Sequence, residues 1–237
     1  MSAPVMRAGQ RGRPQGGPPP LVPALAYGAL VIAAVAVSVG GPRPGTSAAA
    51  TLSYDQAHTG LLHVAAVLIF GAAAPLAIWA ATIYRRLRTL GVTAPGAVIG
   101  LAGGILAAAS LALSGLFTWV AADTAADAGP ALARVLFDLS FAAGAAGFVV
   151  PSALLVAGVA VPALIMRLTP RWLAWAGLVI AAAGVLSTLT LLTSALDATL
   201  PIGRFGGLIW IVAVSVLLPA TRHRLPARAG EPAPAAA

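Results

Sequence analysis

Residues 96–121 read GAVIGLAGGILAAASLALSGLFTWVA, a stretch without a single charged side chain. A helix of this length crosses the roughly 30 Å of hydrocarbon in a bilayer, since each residue adds about 1.5 Å. In lipid every backbone donor and acceptor must be bonded within the segment, which a helix achieves. This stretch therefore predicts a membrane-spanning helix.

Five similar apolar stretches lie on either side of it. They occupy residues 21–39, 61–84, 139–166, 172–196 and 200–220. Charged residues make up 8% of the chain, whereas a soluble domain carries about 25%. None of the stretches shows the roughly ten-residue alternation of a membrane β-strand. We predict an all-α fold, an integral membrane bundle of six transmembrane helices.

The two ends of the chain differ in composition from the spans. Residues 1–20 and 221–237 are rich in Pro, Gly, Ala and Arg and lack apolar periodicity. We predict that both are disordered cytoplasmic tails of a transmembrane domain over residues 21–220. The first span, with basic residues before it and small residues at 47–50, also resembles a secretory signal. Residues 21–39 exceed the roughly 7–15 apolar residues of such a signal, which favours an uncleaved span.

The arginines predict the orientation, because short cytoplasmic loops retain Arg and Lys during insertion. All 14 cations are Arg. With both termini inside, eleven of them fall in inner segments and three in outer ones, while five of the six acids fall outside. We therefore expect cytoplasmic termini. The Arg-only, Ala-rich composition is typical of GC-rich bacterial genomes, and we expect a bacterial plasma (inner) membrane.

Several classes of function are not indicated. The net charge of +8 lies in short clusters between spans, so we expect no nucleic-acid partner. The absence of cysteine excludes disulfides and thiolate metal sites, and phosphate-loop, zinc-protease and serine-hydrolase motifs are missing. His58 and His63 cannot face one iron from a single helix, and we interpret them as interfacial side chains. We expect no cofactor, no metal and no enzymatic activity.

A stripe of small residues marks one face of the third span. Gly96, Gly100 and Gly104 are four residues apart, and Ala108 and Ala112 continue the series. Such a face lets a neighbouring backbone approach closely. We interpret it as helix packing within the bundle, with the interface of a homo-oligomer as the alternative.

Polar side chains gather in the outer halves of two spans. Their three- and four-residue spacing places each set on one helix face: Ser110, Ser114 and Thr118 in the third span, and Ser187, Thr190, Ser194 and Asp197 in the fifth. The simpler role is hydrogen bonding between helices. The alternative is an outward-facing polar pocket.

Arg204 lies about one turn inside the sixth span, where a cation is costly unless it is paired or reaches the headgroups. Its planar guanidinium suits a carboxylate. Asp138 and Asp197 lie at the ends of neighbouring spans. We predict that Arg204 contacts one of them, closing the outer end of the bundle or forming the floor of a small anion-binding pocket. The alternative is an arginine that extends to the headgroups.

Three short stretches carry a family resemblance: LFDLSF at 136–141, PRWLAW at 170–175 and PIGRFGG at 201–207. Residues 55–220 resemble a family of actinobacterial multi-pass membrane proteins that is defined only as a domain of unknown function. The resemblance implies a bacterial inner-membrane location. It implies no activity, ligand or site residue.

Two functions follow from these patterns. The first is a non-enzymatic protein embedded in the lipid bilayer with a structural role, as an oligomer or as the subunit of a membrane partner. The second is a small transporter or ligand-binding protein that uses the outer polar pocket. The inner half of the fifth span, AAAG at 181–184, lacks the polar side chains of a continuous path, which favours the first.

Overall fold

The computed structural model describes residues 19–192 and 199–219, and all regular structure in this part is helical. The predicted all-α membrane bundle is confirmed. The helices are α1 (Leu21–Val37), α2 (Ala48–Ala57), α3 (Thr59–Thr89), α4 (Gly96–Thr124), α5 (Pro130–Gly144), α6 (Ala146–Ile165), α7 (Arg171–Leu186) and α8 (Thr199–Leu217). A 3-10 turn (Ser187–Leu191) extends α7, and a π turn (Ile202–Gly206) interrupts α8. The predicted tails lie almost entirely outside the described residues.

Five segments are long and apolar enough to cross a membrane, so the chain is a multi-pass membrane protein. They are Thr59–Thr89, Gly96–Thr124, Pro130–Ile165, Arg171–Leu191 and Thr199–Leu217. The apolar helix α1 has 17 residues, about 26 Å of helix. This is shorter than the roughly 30 Å of hydrocarbon, and the predicted count of six therefore includes one short helix.

The structure differs from the sequence prediction at two places. Residues 48–57, expected in an outer connection, form α2, and the Ser47 hydroxyl caps it by accepting a hydrogen bond from the Ala50 amide (3.3 Å). The span predicted at 139–166 begins earlier, at Pro130, and breaks at Ala145 (φ −93°, ψ −103°) into α5 and α6. The break escaped prediction because residues 139–166 form one uncharged apolar stretch, and composition does not mark a break within it.

The core lies among α1, α3, α4, α6 and α8, with Tyr27 and Trp79 its largest fully buried side chains. The Trp79 indole donates to the Ser215 hydroxyl at 2.7 Å, and the Trp210 indole donates to the Leu173 carbonyl at 2.8 Å. Polar groups isolated from water cost free energy unless they are bonded. These two bonds therefore anchor α8 to α3 and α7.

A tight turn joins α3 to α4. Gly91 has φ +88°, a left-handed conformation, and the Val92 amide donates back to the Leu87 carbonyl at 3.0 Å. Glycine is favoured at this position because it has no Cβ to clash. The turn places α3 beside α4, and they pack so closely that a Cβ on Gly115 would lie 2.7 Å from the Phe70 nitrogen.

Candidate functional site

A cavity of about 610 Å³ lies at the end of the bundle that carries α2. We call it the α2 cavity. Residues of α1, α2, α3, α4, α5, α6 and α8 line it, and its volume falls within the roughly 300–1,000 Å³ of ligand pockets. Its walls are largely apolar, and the polar side chains among them are Ser38, Arg43, Tyr54, Asp55, Ser114, Thr118, Ser140 and Arg204.

Arg204 reaches the cavity from the π turn of α8. Its Nη1 donates to the Gly144 carbonyl at 3.0 Å, and its guanidinium carbon lies 5.6 Å from the centre of the Phe148 ring. Its Nε is buried and has no hydrogen-bond partner in the described part of the chain. A guanidinium has five N–H donors, and within the described residues the Nε donor stays unused beside the bond to Gly144.

The break between α5 and α6 supplies the carbonyl that Arg204 binds. In a continuous helix the Gly144 oxygen would accept from the Phe148 amide, but that amide donates to the Ala145 carbonyl at 3.1 Å. Arg204 therefore replaces a backbone donor that the break removed. The π turn carries the replacement, and such turns are frequent at functional sites.

Three hydroxyls join α4 to α5 in the cavity wall. Ser114 donates to the Ser140 carbonyl at 2.8 Å, and Ser140 donates to the Ser114 carbonyl at 3.0 Å. Thr118 donates to the Ser114 carbonyl at 2.9 Å, with its oxygen 2.7 Å from the Ser140 hydroxyl. Hydrogen bonding between helices and a place in a polar pocket were alternatives for Ser114 and Thr118, and in the structure they do both.

Gly144 brings these hydroxyls close to the guanidinium. A Cβ on Gly144 would lie 2.7 Å from Ser114 Oγ and 4.0 Å from Arg204 Nη1. Without a side chain at this position, α5 approaches α4 at the point where the guanidinium enters. The result is one polar patch on an otherwise apolar wall.

Two further charged residues of the lining belong to α2 and the connection before it. Asp55 on α2 is 4% exposed, while Arg43 is exposed. The neighbouring Tyr54 ring stacks on His58 with the ring centres 4.3 Å apart. Burial raises the pKa of Asp55 from 3.8 to about 6, because the carboxylate loses hydration.

The predicted contact between Arg204 and Asp138 is wrong. Asp138 is exposed and pairs with Arg134, whose Nε lies 2.8 Å from its Oδ2. Arg134 Nη1 also donates to the Thr46 carbonyl. The prediction failed because α5 begins at Pro130, before the expected start of this span. Residues 134 and 138 are then one turn apart on one helix face, the usual spacing of a local ion pair.

Of Thr190, Ser194 and Asp197, which were also predicted for the outer polar pocket, Thr190 is the one that the structure describes. Thr190 lies on the 3-10 turn after α7, where its hydroxyl donates to the Ser187 carbonyl at 2.7 Å. Thr190 does not line the α2 cavity. Ser194 and Asp197 lie outside the described residues, so a contact between Arg204 and Asp197 stays a prediction.

The small-residue stripe of α4 faces other helices of the same chain. A Cβ on Gly96 or Gly100 would lie 3.3 or 3.4 Å from the Gly158 backbone on α6, and a Cβ on Gly158 only 2.4 Å from the Gly100 nitrogen. Gly104 faces α3, where its Cβ would lie 2.4 Å from the Ala80 Cβ. The structure thus places the stripe in packing within the bundle.

His58 and His63 both bond to the backbone of the preceding turn. His58 Nδ1 lies 3.1 Å from the Tyr54 carbonyl oxygen, and His63 Nδ1 lies 2.9 Å from the Thr59 carbonyl oxygen. Within residues 19–192 and 199–219, no three His, Cys, Asp or Glu side chains form a metal-sized group. Neither histidine lines the α2 cavity.

Sequence reasoning missed Arg43, Asp55, Ser140 and Gly144 as parts of one site. Arg43 and Asp55 lie in the connection after α1 and on α2, a helix that was not predicted. Ser140 and Gly144 lie on α5, which the break at Ala145 separates from α6. One signal was present: residues 142–147 read AAGAAG, and two glycines within a turn weaken a helix. For Arg43 and Asp55 no local pattern pointed to a cavity.

No family model, no curated protein and no solved structure matches this chain. The resemblance to the actinobacterial family therefore stays a proposal that rests on its three stretches.

Proposed function

We propose that this chain is a non-enzymatic protein of a bacterial plasma membrane that binds a small amphipathic molecule in the α2 cavity. The observation that supports this most strongly is one buried guanidinium nitrogen without a partner in the described residues, in a cavity of about 610 Å³ with largely apolar walls. A cation at membrane depth is costly and by default marks a functional site. A purely structural subunit has no need of it, so ligand binding is the better supported of the two functions.

The exposed walls of the cavity support entry from the bilayer. Phe141 on α5 and Phe205 on α8 both line the cavity, yet they are 42% and 40% exposed. Rings this exposed are not enclosed by neighbouring helices, and we infer an opening of the cavity between α5 and α8 at this point. An amphiphile moving within the membrane reaches the cavity through this opening.

The packing beyond the cavity supports binding rather than transport. Leu76, Trp79 and Leu111 are at most 1% exposed. The α4 and α6 backbones also meet at Gly100 and Gly158. A transport path would have to cross this core, where closely packed apolar side chains exclude a polar solute.

A cavity-filling substitution tests ligand binding. In lipid nanodiscs, a dodecanol that carries a photoactivatable diazirine should form adducts at Ser114 and Ser140. Leu62→Trp should reduce these adducts severalfold, because Leu62 lines the cavity and the indole adds bulk. The matched control is Leu116→Trp, since Leu116 is 45% exposed on α4 and is not part of the lining. Equal adduct yields in the two variants would contradict the proposal.

We also propose that α2 faces the outside and that both termini are cytoplasmic, on the basis of the eleven-to-three distribution of arginines. The chain has no cysteine, so single cysteines can report the orientation. A membrane-impermeant maleimide added to intact cells should label Ser53→Cys on α2 and leave Thr93→Cys, between α3 and α4, unlabelled. Labelling of position 93 alone would reverse the orientation.

A further inference from the structure

Building on the proposed function, we propose that the ligand is a single-chain amphiphile with a carboxylate head, and that Arg204 binds this carboxylate. The acyl chain then lies along the apolar part of the α2 cavity. Three observations carry the inference: the charge of the lining, the donors that remain unused, and the fixed position of the guanidinium.

The pairing of charges in the described lining favours a monoanion. Arg43 is exposed, and Arg204 forms no salt bridge with a carboxylate among the described residues. A cation at membrane depth without a partner is costly, and a ligand with one negative charge supplies that partner. Asp138 does not supply that charge, because it is bonded to Arg134 at 2.8 Å.

The unused donors favour a carboxylate over a phosphate. Ser114, Thr118 and Ser140 each donate to a backbone carbonyl, and therefore offer mainly acceptor oxygens. Among the described residues, the buried donor of this polar patch that lacks a partner is Arg204 Nε. One guanidinium binds a carboxylate through two parallel N–H···O bonds. A phosphate monoester has three terminal oxygens and about −1.5 to −2 charges near pH 7, which this donor set does not satisfy.

The guanidinium is held before a ligand arrives. The Gly144 carbonyl accepts from it at 3.0 Å, and the Phe148 ring lies on one side at 5.6 Å. A side chain that is already ordered loses less rotamer freedom on binding. Leu62 and Ile69 line the same cavity and provide the apolar surface that an acyl chain would cover.

Competition among four amphiphiles built on a twelve-carbon chain tests the head group. At pH 8 and equal membrane concentrations, dodecanoate should displace the diazirine dodecanol from Ser140 at a roughly ten- to hundredfold lower concentration than unlabelled dodecanol, the factor expected for a charged hydrogen bond. Dodecyl phosphate should displace it less well than dodecanoate. Dodecyltrimethylammonium should do no better than dodecanol.

Substitutions at Arg204 assign the preference to this side chain. Arg204→Gln should remove the preference for dodecanoate and leave displacement by dodecanol unchanged. Arg204→Lys keeps the charge but loses the planar pair of donors, so it should retain part of the preference. Arg134→Gln is the control, because Arg134 does not line the cavity, and it should behave like the wild type.

The outcomes separate this inference from the proposed function. Equal displacement by dodecanoate and dodecanol in the wild type would overturn the carboxylate assignment and leave the proposed function standing. Tighter competition by dodecyl phosphate would overturn it in favour of a phosphate head. A wild-type protein without probe adducts at Ser114 and Ser140 would overturn the proposed function itself. If the Arg204 variants fail to fold, the wild-type comparison of the four amphiphiles still decides the head group.

Discussion

The first half of α4 meets α6 and the second half meets α5 in different ways. In the first half, Gly100 and Gly158 bring two backbones together, and a Cβ on Gly158 would lie 2.4 Å from the Gly100 nitrogen. In the second half, Ser114 and Thr118 approach Ser140 on α5 through hydroxyl contacts of 2.8 and 2.7 Å, and all three residues line the α2 cavity. One helix thus combines a close backbone contact with a hydrogen-bonded contact that lines a cavity.

The difference shows how a membrane protein builds a cavity without losing its packing. Lipid tails are as apolar as the side chains of the core, so helices associate through close packing and hydrogen bonds rather than the hydrophobic effect. In α4, glycine allows the close packing, and hydroxyl side chains supply the hydrogen bonds. Where hydrogen bonds hold two helices, the helices need not touch along their whole length, and a cavity can form between them.

The largest loss of stability is expected in the first half of α4, where Gly100 packs against Gly158. Gly158→Ala should lower the free energy of unfolding by about 1–3 kcal/mol, because the added methyl group would overlap the Gly100 backbone and overpacking costs this much. Gly207→Ala is the control, since nothing lies within 4 Å of a Cβ at that position. Thermal unfolding in detergent measures both. Equal melting temperatures would show that the two halves of α4 are packed alike.

The stability of the region around the α2 cavity should depend on pH through Asp55, which lies on α2. Its pKa in the folded protein is about 6, raised from 3.8 by burial. The folded state therefore holds the proton more tightly than the unfolded chain, and the stability this contributes is present at low pH and lost as the pH rises through about 6. At pH 7.5, Asp55→Asn should be more stable than the wild type by roughly 1–2 kcal/mol.

Melting temperatures at pH 5 and pH 7.5 test this pH dependence. The difference between the wild type and Asp55→Asn should shrink at pH 5, where the wild-type carboxyl is protonated. Asp127→Asn, at an exposed position, should keep the wild-type dependence, and the cost of Gly158→Ala should be the same at both pH values. A gap between wild type and Asp55→Asn that does not change with pH would rule out titration of Asp55.

A smaller effect is expected where α4 and α5 are hydrogen bonded. Ser140→Ala removes the bond to the Ser114 carbonyl (3.0 Å) and the contact with the Thr118 hydroxyl (2.7 Å). Hydrogen bonds between helices in a membrane contribute about 0.5–1.5 kcal/mol each, so unfolding should become easier by about this amount. Ser53→Ala, on an exposed position of α2, should leave the melting temperature unchanged. A loss for Ser140→Ala as large as that of Gly158→Ala would remove the distinction between the two halves.

The smallest effect is expected at the surface ion pair. Asp138→Asn weakens its contact with Arg134, but Asp138 is 53% exposed, and exposed pairs contribute at most about 1 kcal/mol. The change in stability should fall further as salt is added. A loss of several kcal/mol, independent of salt, would mean that Asp138 neutralises a buried charge such as Arg204 after all.

Sequence alone was enough for the class of the protein and for part of its packing. Uncharged stretches such as 96–121 predicted the spans because crossing a bilayer imposes length and composition on each segment separately. The four-residue spacing of Gly96, Gly100 and Gly104 predicted a close contact, since small residues on one helix face are a local property.

The cavity and its contacts were decided by tertiary structure. Arg204 was recognised as a costly cation, but its acceptor, the Gly144 carbonyl, exists only because the helix breaks at Ala145. Asp138 was one of the two partners predicted for it from depth, and because α5 starts earlier, that carboxylate pairs with Arg134 instead. The physical reason is that insertion into lipid constrains each span by itself, whereas the partner of a side chain depends on how distant helices meet.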